Sequence, residues 1–258
     1  MEPLRKKVAD VLSAYTGRWG IVIANAATGD RLELNPDMIF PAASMIKVPI
    51  MYEIMRQAAA GKLSLDAALR INDEDKVGGA GILKELQAGK VFTVRELVTL
   101  MIILSDNMAT NMLIDLIGTE TVNQTAAELG LKSTVLRRRM MDFAAAQAGK
   151  ENQTSAADMA LIFAKIHTSA GLPRAYGGLM LDILGRQQIQ DKLPFYLPGG
   201  ITLAHKTGTL AGVEHDAGIL YLPGGPYIIS VLTGDLPVNY LGLQLVAALG
   251  KVVYEHFA

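Results

Sequence analysis

The stretch PAASMIKVPIMYEIM, residues 41–55, opens a greasy helix with a serine and a lysine one turn apart. Ser44 and Lys47 stand at i and i+3, so on a helix they share a face. An ordinary buried face would carry Leu or Ala there. A lysine relieved of its proton can take the proton of a neighbouring serine, which makes a nucleophile without histidine. Two further short motifs carry matching chemistry. Ser105-Asp106-Asn107 begins 61 residues after Ser44, and Lys206-Thr207-Gly208, followed by Thr209, begins 101 residues after Ser105.

Near a helix N-terminus, free N–H groups and the helix dipole favour developing negative charge, and Ser44 is so placed. Burial lowers the pKa of a lysine and a second cation lowers it further, and Lys206 is the candidate second cation for Lys47. Ser105 is suited to pass a proton between Lys47 and a departing nitrogen, which an amide needs as its bond breaks. Lys206 with the hydroxyls of Thr207 and Thr209 forms a receptor for a substrate carboxylate. Each motif alone has a plainer reading. Ser44 is then an N-cap, Lys206 a solvated strand end, and Ser105-Asp106-Asn107 the cap of the next helix. Three such motifs in this order go beyond that explanation.

Competing chemistry is weaker. His215 and Asp216 are neighbours on a predicted strand and point to opposite faces, so they form no relay with Ser44. His215 reads instead as a pocket-edge or packing residue. His167, His205, His215 and His256 lack zinc-ligand spacing, so no metal is expected. Gly78, Gly79 and Gly81 suit a loop on the rim of a cleft. With no Cys, disulfides and thiolate chemistry are excluded. The net charge of −1 gives no basic surplus for nucleic acid, and Arg137 to Arg139 read as an ion-paired or solvated turn. The start, MEPLRKKVADVL, shows no signal peptide, and no apolar run is long enough to span a membrane.

The elements that must position these residues follow from periodicity. Helices are predicted over 3–15, 44–60, 93–104, 106–117, 119–129, 154–170, 174–185 and 238–257. WGIVIANAATGDRLELN, residues 19–35, reads as a hairpin, and strands are predicted over 201–210, 213–222 and 226–234. The fold class is α+β. The hairpin and the late strands form one antiparallel five-stranded sheet flanked by the terminal helices, and the middle of the chain is an all-helical insertion. The boundaries are 1–36 and 187–258 for the α/β domain and 37–186 for the all-α domain, with the cleft between them.

The S-x-x-K, S-D-N and K-T-G trio resembles the signature of class A β-lactamases and penicillin-binding proteins, with similar intervals over nearly the whole chain. The resemblance implies a β-lactamase/transpeptidase-like fold and a serine hydrolase that opens the β-lactam amide through an acyl-enzyme on Ser44. It implies an oxyanion hole from the backbone N–H groups of Ser44 and Thr209. It gives Asn107 the tasks of holding Lys47 and binding the substrate's side-chain amide, and places Thr207, Gly208 and Thr209 along the substrate. It implies no cofactor, a monomer, an extracytoplasmic location and a β-lactam or peptidoglycan-peptide substrate. The family's Glu-x-x-x-Asn element, whose Glu activates the deacylating water, has no counterpart in residues 137–159. Asp142 lies near the expected place, and Glu151 reads as part of the cap of the next helix. Slow deacylation follows as an expectation. A D,D-peptidase, a promiscuous esterase and a non-catalytic β-lactam sensor are the alternatives.

Overall fold

A computed structural model describes all 258 residues. Strands β1 (Arg18–Asn25), β2 (Arg31–Leu34), β7 (Thr202–Leu210), β8 (Val213–Leu222) and β9 (Gly225–Gly234) form one sheet in the order β2-β1-β9-β8-β7. Every pairing in it is antiparallel, as the hairpin and late strands predict. The C-terminal strands are buried along nearly their whole length because both faces of the sheet are covered.

Helices α1 (Glu2–Leu12) and α9 (Asn239–Phe257) cover one face. Leu4, Val8 and Leu12 of α1 meet Leu245, Val246 and Leu249 of α9 over Ile21, Ile23 and Val231 of the sheet. The other face carries α7 (Ala156–Thr168) and α8 (Arg174–Gly185), behind which stand α2 (Lys47–Ala59), α3 (Val94–Ile103), α4 (Asn107–Ile117) and α5 (Thr119–Glu128). Apolar side chains of these helices share one core with Val22, Ala217, Ile219 and Leu232 of the sheet. The helical region and the sheet therefore share one core along α7.

The middle of the chain is not purely helical. Phe40–Pro41 (β3) pairs with Gln153–Thr154 (β6), and Ala68–Arg70 (β4) pairs with Val91–Thr93 (β5). These ladders are too short to leave an alternating pattern. A five-residue helix, α6 (Phe143–Gln147), also went unpredicted. The helix expected from residue 44 begins as a 3₁₀ turn, Ala43–Ile46, that runs into α2. No helix is long and apolar enough to cross a membrane.

Candidate active site

The cleft runs along β7, the edge strand, where the 3₁₀ turn of Ser44 packs against it. Ala43 adopts a left-handed backbone, φ +46°, an unusual conformation for a residue with a side chain. Gly208 allows the strand to come this close. A Cβ on it would lie 3.2 Å from Ala43 Cβ and 3.3 Å from the Ser44 nitrogen. Ser44 is half-buried on the wall of a cavity of about 160 Å³, together with Asn107, Thr209, Gly79 and Ala80.

Lys47 lies beneath, with no exposed surface. Its Nζ donates to Ser105 O at 2.7 Å, Asn107 Oδ1 at 2.9 Å and Ser105 Oγ at 3.1 Å. Burial lowers its pKa from 10.5 to about 7, against the opposing pull of Asp106. Lys206 is equally buried and donates to the same Ser105 Oγ at 3.1 Å. Its pKa is also pushed well down, first by burial and then by Lys47 and Lys192. Ser105 Oγ thus accepts from both amines, which leaves its own hydrogen for a third group. Ser105 is held in a left-handed conformation, φ +54°. Predicted from three separate motifs, Ser105, Lys47, Lys206 and Asn107 meet in one network beside Ser44.

Asp106 holds this network's frame. Its Oδ1 caps α4 by accepting Ala109 N–H at 2.9 Å. Its Oδ2 accepts Ile82 and Leu83 N–H at 2.7 and 2.9 Å. The loop carrying Gly79 and Gly81 therefore closes over the cleft, as its glycines suggest. A Cβ on Gly81 would fall 2.3 Å from Asp106.

Two expectations need correction. Asp142 does not reach the cavity. It is exposed, and its Oδ1 caps α6 by accepting Ala145 N–H at 2.9 Å. The wall it was expected to supply is made by Met140, Met141 and Phe143. The hydroxyl of Thr209 is not free for a carboxylate. It accepts from Lys192 Nζ at 3.0 Å and donates to Glu214 Oε2 at 2.8 Å. Thr209 still borders the cavity, and Thr207 is buried next to Lys206.

The remaining candidates have structural posts. Glu151 Oε1 binds Arg138 at 2.7 Å and the Asn152 N–H at 2.9 Å, and Arg139 pairs with Asp115 at 2.8 Å. His215 is buried, with Nε2 2.8 Å from Pro41 O and Nδ1 accepting Thr233 N–H at 3.1 Å. Burial holds its pKa at about 4, so it is neutral and packs as expected. Asp216 pairs instead with His205, across the strand pair, at 2.8 Å. The buried Lys192 and Glu214 were missed because neither belongs to a motif, and a single Lys in a loop reads as solvated.

Comparisons with known proteins place the chain in a family. A model of the β-lactamase enzyme family matches residues 3–257. A β-lactamase of Rhodobacter capsulatus is 32% identical over 259 residues, covering 93% of this chain and 83% of its own. The crystal structure of a β-lactamase from Sphaerobacter thermophilus superposes with a TM-score of 0.89 at 31% identity, covering 98% of this chain and 96% of that one. PBP-A, whose mutant form was captured as an acyl-enzyme complex with penicillin G, superposes with a TM-score of 0.89 at 30% identity over 99% and 96% of the two chains. The chain belongs to the β-lactamase enzyme family and is a serine hydrolase of the β-lactamase type.

Proposed function

We propose that this hydrolase is acylated rapidly by β-lactams on Ser44 and released slowly. Ser44 Oγ attacks the lactam carbonyl carbon and its proton passes to neutral Lys47. The C–N bond breaks as Ser105 delivers a proton to the nitrogen and is resupplied from Lys47. Lys206 and Thr207 receive the substrate carboxylate, Asn107 the side-chain amide, and the N–H groups of Ser44 and Thr209 the oxyanion. The cleft lies between the α/β region, residues 1–36 and 187–258, and the helical region, 37–186.

One observation carries the slow release. The cavity around Ser44 is lined by no carboxylate, and two methionines and a phenylalanine occupy the wall that faces it. The acids of the 137–159 segment considered for this task, Asp142 and Glu151, are spent on a helix cap and an ion pair. The likeness to PBP-A supports the same reading, and it favours a second one in which an amine from a peptidoglycan-type peptide, rather than water, takes the acyl group. Stopped-flow mixing with nitrocefin tests the proposal. A burst of one equivalent followed by slow turnover is expected. Fast steady turnover with no burst contradicts it.

A further inference from the structure

The back of β7 carries a buried polar cluster that the acylation chemistry leaves unused. Lys192, in the segment leading into β7, is 1% exposed and meets Glu214, 2% exposed, at 2.6 Å. The same Nζ donates to Gly208 O at 2.8 Å, Thr209 Oγ1 at 3.0 Å and His215 O at 3.2 Å. Asn239, the first residue of α9, donates to Glu214 Oε1 at 2.7 Å and to Leu210 O at 2.7 Å, which ties the β7–β8 turn to the same carboxylate. A buried ion pair seldom stabilises a fold beyond what apolar packing would, so its position asks for another use.

That position is the peptide unit between Gly208 and Thr209. The unit is planar and trans, so its C=O and N–H point in opposite directions. Lys192 holds the C=O at the back, so the Thr209 N–H is aimed to the other side. A hydrogen bond from a cation to the carbonyl also polarises the amide and strengthens its N–H as a donor. The Thr209 hydroxyl, tied to both Lys192 and Glu214, fixes the same residue through its side chain. Pairing with a substrate carboxylate would be the simpler task for a cation here. Lys192 has its hydrogens committed behind the strand instead.

We propose that Lys192, held by Glu214, is a positioning residue that aims and polarises the Thr209 N–H at the oxygen that becomes negative when Ser44 attacks. The inference rests on the Ser44 acyl-enzyme proposed above. Phenylboronic acid is a direct probe, because Ser44 Oγ adds to boron, its proton passing to Lys47, to give a tetrahedral anion, and the molecule has no carboxylate. Lys192→Met is compared with wild type, alongside Lys192→Met/Glu214→Leu, which leaves no buried charge behind. Circular dichroism establishes that each is folded. Boronate affinity is expected to fall about 10- to 100-fold, less than the 10²–10³-fold that outright loss of an oxyanion donor costs. The ester carbonyl band of the penicilloyl-enzyme is expected to move to higher frequency in difference infrared spectra. Should neither variant fold, Lys192→Arg, which keeps the charge but moves its hydrogens, must still shift that band. Unchanged boronate affinity and an unmoved band overturn this proposal alone, as does a loss confined to carboxylated substrates. A wild-type enzyme that forms no boronate adduct overturns the acyl-enzyme reading with it.

Discussion

Lys47 carries a cost that its surroundings make useful. Out of contact with water, it gives up its proton near pH 7, and only then has a lone pair for the Ser44 proton. The rate of acylation by penicillin should therefore rise with pH through about 7 and level off above it, as a stopped-flow pH profile will show. Stability follows the same group. Between about 7 and 10.5 the unfolded chain keeps a proton that folded Lys47 has released, so stability rises with pH across that window and is flat below it. Lys47→Met should remove part of this slope in denaturant titrations, and Lys206, shifted in the same direction, should retain the rest. Asp142 offers the contrast. Asp142→Ala should cost α6 about 1 kcal/mol of local stability through its lost cap, with acylation and release unchanged. Met141→Glu, which sets a carboxylate in the cavity wall, should shorten the acyl-enzyme lifetime by about 10²-fold or more if the new group acts as a general base.

At the scale of elements, the site depends on how closely one edge strand meets one turn. Gly208→Ala inserts a methyl 3.2–3.3 Å from Ala43 and the Ser44 nitrogen, so β7 and the turn must part by a few tenths of an ångström. Acylation should slow by about 10-fold or more, since small misplacements of reacting groups are costly, while the melting temperature changes little. Asp106→Ala acts on a different junction. It removes the cap of α4 and the two bonds that hold the 82–83 backbone, leaving buried N–H groups unpaired. A destabilisation of about 2–4 kcal/mol is expected in urea unfolding. The two variants should therefore separate, the first in rate and the second in stability.

Across the whole molecule, the long elements were legible because burial leaves a periodic trace. α9 and β7–β9 lie within a few residues of their predicted bounds, and the hairpin and late strands share one antiparallel sheet as predicted, while the β1–β9 adjacency joins strands far apart in sequence. Ser44, Lys47, Ser105 and Lys206 were legible because three motifs mark them. What was hidden is set by tertiary contact. Asp142 ahead of the alanine run 144–146 is an N-cap signal, but a five-residue helix leaves too little periodicity to set it off, and nothing in the loop before β7 says that Lys192 is buried under it. The two-residue ladder of β3 with β6 is likewise invisible without its partner. A persistent acyl-enzyme on Ser44 is detected by intact-mass spectrometry of the protein mixed with penicillin G and sampled over time, with peptide mapping of the adduct. A single penicilloyl addition is expected on the peptide containing Ser44, present in the first sample, lasting through many sampling intervals and missing from Ser44→Ala. An adduct on another residue, or rapid hydrolysis of the drug with no adduct at any time, would contradict it.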